Sequence, residues 1–231
     1  MLSTRVRELI GAEDLNINSR YEKERLDYIA SNVEINGKHV LDIGGNTGYF
    51  TFEVIDFGAK EVNYYEGNKV HADFVKKVVD LTDLNNKVKV SEEYYLFDKY
   101  EQRYDVALLL NVIHHLGDDF GNEDDVSAAK ILMLKSINQM SAVSKYLVFQ
   151  MGYNWCGDRT KCLFENGTKR EMIDFIVNGT KEEWEVVKIG IAVGTKENIH
   201  YEDLNDINIK REDSVGEFLN RPIFIMRSKK L

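Results

Sequence analysis

VLDIGGNTGYF, residues 40–50, is the stretch on which the fold turns. Lys38 to Ile43 has the apolar, β-branched character of a buried strand, and a helix is expected from about Gly48 to Phe57, closed by Gly58. Between them Gly44, Gly45 and Gly48 make a turn in which a ligand can approach bare backbone and the N-terminus of the helix. The spacing does not fit the dinucleotide fingerprint G-x-G-x-x-G. Counted from Gly44, Asn46 stands at the second glycine and Tyr49 at the third.

Outward from this unit, strand and helix patterns alternate. Upstream, Arg20 to Val33 spaces Tyr21, Leu26 (or Arg25), Ile29 and Val33 at helical intervals, an amphipathic helix that ends at the Asn36-Gly37 turn. Downstream the pattern predicts a strand at Glu61 to Glu66, a helix at Lys69 to Leu81 and a strand at Lys87 to Ser91. The continuously apolar Tyr104 to Leu110 suits a strand buried on both faces, and a helix at Val126 to Met140 and a strand at Lys145 to Gln150 follow. Parallel strands need crossovers, and right-handed crossovers put helices on both faces of the sheet, so the expected class is a doubly wound α/β fold.

Beyond Met151 the pattern is irregular, with a helix at Arg170 to Val177 and β-like runs at Trp184 to Val193 and Pro222 to Arg227. The expectation is a single domain with a mostly parallel seven-stranded sheet and an antiparallel last strand. It carries an N-terminal helix, a lid-like region at 151–182 after the fifth strand, and an insertion at 194–221.

Two acidic residues narrow the ligand. Asp42, at the end of the first strand, would repel a pyrophosphate but suits a cationic aminoacyl group. Glu66, ending the second strand, can accept hydrogen bonds from both hydroxyls of a ribose. With DIGGNTG at 42–48, Glu66 and YDVALLLNVIHHL at 104–116, the chain resembles the class I S-adenosylmethionine-dependent methyltransferases over residues 20–150. The resemblance implies S-adenosylmethionine as cofactor and S-adenosylhomocysteine as product. It implies Asp42, Gly44, Gly45, Asn46 and Gly48 around the methionine part, Glu66 on the ribose, Glu92 or Glu93 near the adenine, and Asn111 facing cofactor and acceptor. Asn46 departs from the glycine common at that point of the family pattern, and Glu-Glu-Tyr-Tyr at 92–95 stands where an aspartate often meets the adenine.

His114 and His115 follow Asn111 past the end of the central strand, where open α/β sheets bind ligands. Methyl transfer from a sulfonium is an in-line displacement that needs positioning and, for a hydroxyl acceptor, a base. Either histidine can serve, with His115 preferred, or the pair can line the cleft structurally. Tyr153, Trp155 and Phe164 are candidates for the wall of an acceptor pocket, and Arg159, Lys161 and Arg170 for contacts to an anionic acceptor such as an acidic sugar.

Charge and composition bound the partners. The net charge is −9 and the basic residues are scattered, which favours a small-molecule or glycan acceptor and disfavours nucleic acid. Asp118, Asp119, Glu123, Asp124 and Asp125 read as a solvated loop rather than a metal site, so no metal is expected. Cys156 and Cys162 lack zinc or disulfide spacing and read as thiols. No run of apolar residues reaches the length of a membrane span, and the opening MLSTRVRELIGAEDLN lacks a secretory pattern, so the cytoplasm is the expected compartment. The rivals are a Rossmann-like protein that binds the cofactor as a partner or sensor, without catalysis, and an RNA methyltransferase, which the acidic charge and absent basic patch disfavour.

Overall fold

The computed structural model describes residues 2–11, 19–98, 102–116 and 125–231. Of the acidic run at 118–125, only Asp125 lies within the described residues. Its carboxylate caps a helix by accepting from the backbone N–H of Ser127 and Ala128.

The strands are β1 (His39–Ile43), β2 (Glu61–Tyr65), β3 (Val88–Ser91), β4 (Tyr104–Leu110), β5 (Ser144–Gln150), β6 (Trp184–Thr195), β7 (Asn198–Asp203) and β8 (Ile223–Ser228). The helices are α1 (Thr4–Ile10), α2 (Glu22–Asn32), α3 (Tyr49–Asp56), α4 (Lys69–Leu81), α5 (Val126–Gln139) and α6 (Lys169–Thr180). Among the described residues the strands form one sheet in the order β3-β2-β1-β4-β5-β8-β6-β7. The first five run parallel, and β8 lies antiparallel between β5 and β6. The winding reverses between β1 and β4, which opens a crevice at the carboxyl ends of those strands.

Alternation along each strand splits the core in two. Val40, Val62, Val106, Leu108 and Val148 pack on one face with α2, α3 and α4. Leu41, Ala107, Leu109, Leu147 and Phe149 pack on the other with α5 and α6. The same two-residue period puts Asp42 on the α3 side, where its Oδ2 accepts from Thr51 Oγ1 at 2.6 Å. The helices begin where the side chains can cap them. Asn68 Oδ1 accepts from the N–H of Val70 and His71 at α4, and Thr168 and Glu171 form a reciprocal capping box at α6.

Two expectations need correction. The stretch 194–221 is not simply an extended insertion, because β7 pairs with β6 through the two-residue turn at Lys196 and Glu197, giving eight strands instead of seven. In β7 only Ile199 and Tyr201 alternate inward among polar residues, too short a signal to stand out, and α2 covers them, with Tyr28 Oη donating to Asp203 Oδ1 at 2.9 Å. Nor does the region after β5 stand off as a lid. Tyr153, Trp155, Leu163 and Phe164 are buried in the second core, and Asn154 and Cys162 close the loop by an isolated bridge. Cys156 and Cys162 stand as thiols, donating to Leu116 O and Arg159 O. No helix among the described residues is long and apolar enough to cross a membrane.

Candidate active site

A cavity of about 860 Å³ opens at the crevice, lined by the β1–α3 turn, the ends of β2 and β4, the residues after β3, and the start of α2. Asp42, Gly44, Gly45, Asn46, Glu66, Glu93, Asn111 and His115 all line it. Gly48 does not. It is buried at the N-terminus of α3 with φ of 77°, where an added Cβ would meet Phe52 and Val75. Its task is the turn itself.

The turn is held by its own hydrogen bonds. Gly44 N and Gly45 N donate to Tyr65 O, and the two oxygens of Glu66 accept from Asn46 N and Asn68 N, each at 2.8 Å. A carboxylate has about four acceptor directions, so Glu66 keeps capacity for two further donors on the cavity side. Asn46 sits in the left-handed region at φ of 51°, which asparagine tolerates better than most residues. At Gly45 an added Cβ would press on the Tyr64 ring and come within 2.8 Å of Asp42 Oδ2. We expect Gly45→Ala to destabilise the fold by about 1–3 kcal/mol, measurable by urea unfolding; a stability equal to wild type would show that the turn relaxes freely.

Asp42 is buried, and burial raises its carboxyl from the ordinary 3.8 to about 6, opposed by the bond from Thr51 and reinforced by the charge of Glu66. A carboxylate in this position, with a second one nearby, suits a cationic ligand and opposes a phosphate. The polar inventory therefore fits S-adenosylmethionine: an anion for the ammonium of the aminoacyl end at Asp42, and free acceptor capacity for ribose hydroxyls at Glu66.

Beyond β3 the cavity wall is aromatic, with Tyr94, Tyr95 and Phe97; Tyr65 and Phe97 each meet the Tyr95 ring edge-on. The expected pair Glu92 and Glu93 divides. Glu93 faces the cavity, while Glu92 lies outside it, bonded to Lys69 at 3.0 Å and Lys76 at 2.7 Å, and those ammonium groups hold its carboxyl below the usual range.

At the tip of β4, Asn111 has φ of 63° and is fixed from three sides. Its N–H donates to Gln150 O, its Nδ2 to Gln150 Oε1 at 2.8 Å, and Arg221 Nη1 donates to its Oδ1 at 2.8 Å. Arg221 is itself held by both oxygens of Glu217.

The histidines also divide. His115 lines the cavity and is half-buried. His114 lies behind it, only 3% exposed, with its ring against Gly152 and its Nδ1 without a partner among the described residues. Burial holds its pKa well below 6.5, assisted by the charge of Arg221, so it is neutral at pH 7. That placement removes His114 from the cavity wall.

The expected acceptor residues are not brought to the cavity. Trp155 is buried, with Nε1 donating to Leu116 O and Lys161 over its ring, and Tyr153 Oη donates to Asn220 O at 2.7 Å. These aromatics fill the core because the loop after β5 folds down against the turn at Ile113–His115. Arg159 and Arg170 are exposed and line no part of the cavity. Arg20, Arg25, Tyr49, Phe50 and Phe218 line the cavity instead. One signal was present: Arg25 shares the buried stripe of α2 with Leu26 and Ile29, an unusual place for a guanidinium.

No family model matches the chain. Two curated relatives are tRNA U34 carboxymethyltransferases: that of Campylobacter curvus (strain 525.92) is 24% identical over 112 residues and that of Campylobacter lari 29% over 111. Each match covers 46% of this chain but only 36% and 32% of the relative, about a third of its length. Among solved structures, the bifunctional kinase-methyltransferase WbdD superposes with a TM-score of 0.55 at 12% identity, over 96% of this chain and 42% of that one. TehB from Haemophilus influenzae gives 0.54 at 13%, over 97% and 67%, and the B. subtilis m1A22 tRNA methyltransferase TrmK 0.51 at 12%, over 88% and 65%. The chain has the fold of the class I S-adenosylmethionine-dependent methyltransferases.

Proposed function

We propose that this protein is an S-adenosylmethionine-dependent methyltransferase acting on a hydroxyl of a small molecule or glycan. The observation that carries the reading is the pair of carboxylates Asp42 and Glu66 at adjacent strand ends, flanking one glycine turn in one cavity. The continuous sheet supports treating the chain as a single catalytic domain.

When bound, S-adenosylmethionine would supply an electrophilic methyl group on a sulfonium. Glu66 would accept the ribose hydroxyls, held in place by the backbone N–H groups of Asn46 and Asn68. Asp42 and the turn at Gly44, Gly45 and Asn46 receive the aminoacyl end. Tyr94, Tyr95 and Phe97 would offer the base an aromatic wall, with Glu93 beside them in the same lining. Asn111, locked by Gln150 and Arg221, borders both donor and acceptor. His115, on the cavity wall, would take the proton of the acceptor hydroxyl. His114 supports it, with ring centroids 4.4 Å apart. No metal enters this reaction scheme.

Incubation with S-adenosylmethionine and a panel of hydroxylated acceptors should yield S-adenosylhomocysteine. Binding without turnover across the panel would favour the sensor alternative. His115→Ala should lower turnover by about 10²- to 10⁴-fold and leave S-adenosylhomocysteine affinity within about twofold. Unchanged turnover would remove His115 from the mechanism.

A second reading, an RNA acceptor, is favoured by the names of the curated relatives and runs against the expectation from charge. Against it, many surface cations are tied to acids, among them Lys23, Lys38, Lys69, Lys76 and Lys188. Methyl transfer to tRNA with steep loss of binding between 50 and 200 mM salt would establish the RNA reading in place of the first.

A further inference from the structure

Where Arg20, Arg25 and Phe218 line the cavity, three guanidinium groups gather around one ring: Arg20, Arg25 and Arg221 lie 5.9, 5.1 and 5.0 Å from the centroid of Phe218. Only Arg221 has a carboxylate partner among the described residues, Glu217. Arg25 is 4% exposed, stacks on Phe50 at 5.1 Å, and makes one long bond, Nη1 to Gln150 Oε1 at 3.4 Å. Its Nε is buried with no partner among the described residues. Glu22 attracts Arg25 through space without bonding to it, and its carboxylate accepts from Ser19 Oγ and Arg20 N.

A buried guanidinium with an unmet donor, close to two others, is costly unless an anion completes it. We propose that Arg20 and Arg25 receive an oxyanion, a carboxylate or phosphate, carried by the acceptor. Their setting selects the acceptor over the donor. Arg25 reaches the tip of β5 and Phe218, across Gln150 from Asn111, whereas the aminoacyl end of the donor belongs at Asp42 and the glycine turn. A planar guanidinium can grip two oxygens of such a group, and Phe50 and Phe218 hold its plane. The acceptor would then be an acidic molecule bearing the hydroxyl that faces His115. This rests on the methyltransferase reading, and it relocates anion recognition from the exposed Arg159 and Arg170 to the cavity.

The test titrates inorganic phosphate into protein saturated with S-adenosylhomocysteine, followed by thermal shift and calorimetry. Phosphate should raise the melting temperature of the wild type, bind about threefold more weakly to Arg20→Gln and about tenfold more weakly to Arg25→Lys. S-adenosylhomocysteine affinity in phosphate-free buffer should stay within about twofold in both variants. Should Arg25→Lys fail to fold, the exposed Arg20→Gln decides alone. Competition between phosphate and S-adenosylhomocysteine would assign the arginines to the donor's own carboxylate and overturn the proposal, as would a phosphate response that is absent or indifferent to both substitutions. If the wild type does not bind S-adenosylhomocysteine at all, the methyltransferase reading falls. The same phosphate titration on the nucleoside-free protein then still tests the arginine pair.

Discussion

Glu66→Gln should weaken S-adenosylhomocysteine binding by about 10²- to 10³-fold, while the melting temperature falls by only a few degrees. Two charge-assisted hydrogen bonds to the ribose, at about 1.5–3 kcal/mol each, set the scale of the first effect. The second follows from the bonds Glu66 already makes: one amide oxygen can still accept from Asn46 N or Asn68 N, but the amide nitrogen must face the other N–H. Calorimetric titration with S-adenosylhomocysteine measures the first effect and thermal unfolding the second. An affinity within threefold of wild type would mean that Glu66 merely pins the turn and the ribose lies elsewhere.

Asp42→Asn should act in opposite directions on fold and ligand. In the folded protein burial raises this carboxyl from 3.8 to about 6, so its ionised form is the destabilised one. The sign follows. Below about pH 4 both folded and unfolded states hold the proton and nothing is lost. Between about 4 and 6 the unfolded state releases it first and stability declines, and above about 6 the full cost, about 3 kcal/mol, is present. The asparagine variant removes that cost and can still accept from Thr51 Oγ1, so its stability should exceed wild type by a margin that grows from about pH 4 to about pH 6. Donor affinity should fall at least tenfold, because the charge that attracts the cationic end is gone. For the wild type, affinity should weaken as the pH drops below about 6. Unfolding curves across pH 4–8 that coincide for the two proteins would show that Asp42 carries no such burden.

Much of the fold was legible because the chain's periods are strong. Lys69 to Leu81 and Tyr104 to Leu110 form the helix and strand their spacing predicts, residue for residue. β7 was not, since two inward residues under α2 make no pattern until α2 is in place. The glycine-turn side of the cavity was readable for a related reason. Strand ends and glycine turns are local features, so Asp42, Gly44, Asn46 and Glu66 converge once the parallel sheet is assumed.

The rest of the cavity wall is assembled from distant segments. Arg20 comes from just before α2 and Arg25 from its first turn, His115 from the turn after β4, and Phe218 from the approach to β8. Aromatic residues after β5 were a natural guess for that wall, but Tyr153 and Trp155 found partners for their polar atoms inside the core and withdrew from the cleft. The histidine pair shows the same limit of spacing arguments. Adjacent in sequence, His114 and His115 part within one short helical turn, one behind Gly152 and one toward the cavity.

The measurement that bears most directly on the central claim is a crystal structure of the protein with S-adenosylhomocysteine. The account predicts ribose hydroxyls within hydrogen-bond distance of Glu66, the adenine among Tyr94, Tyr95 and Phe97, and the homocysteine amino group toward Asp42. Nucleoside density away from Glu66, or none at saturating ligand, would contradict it.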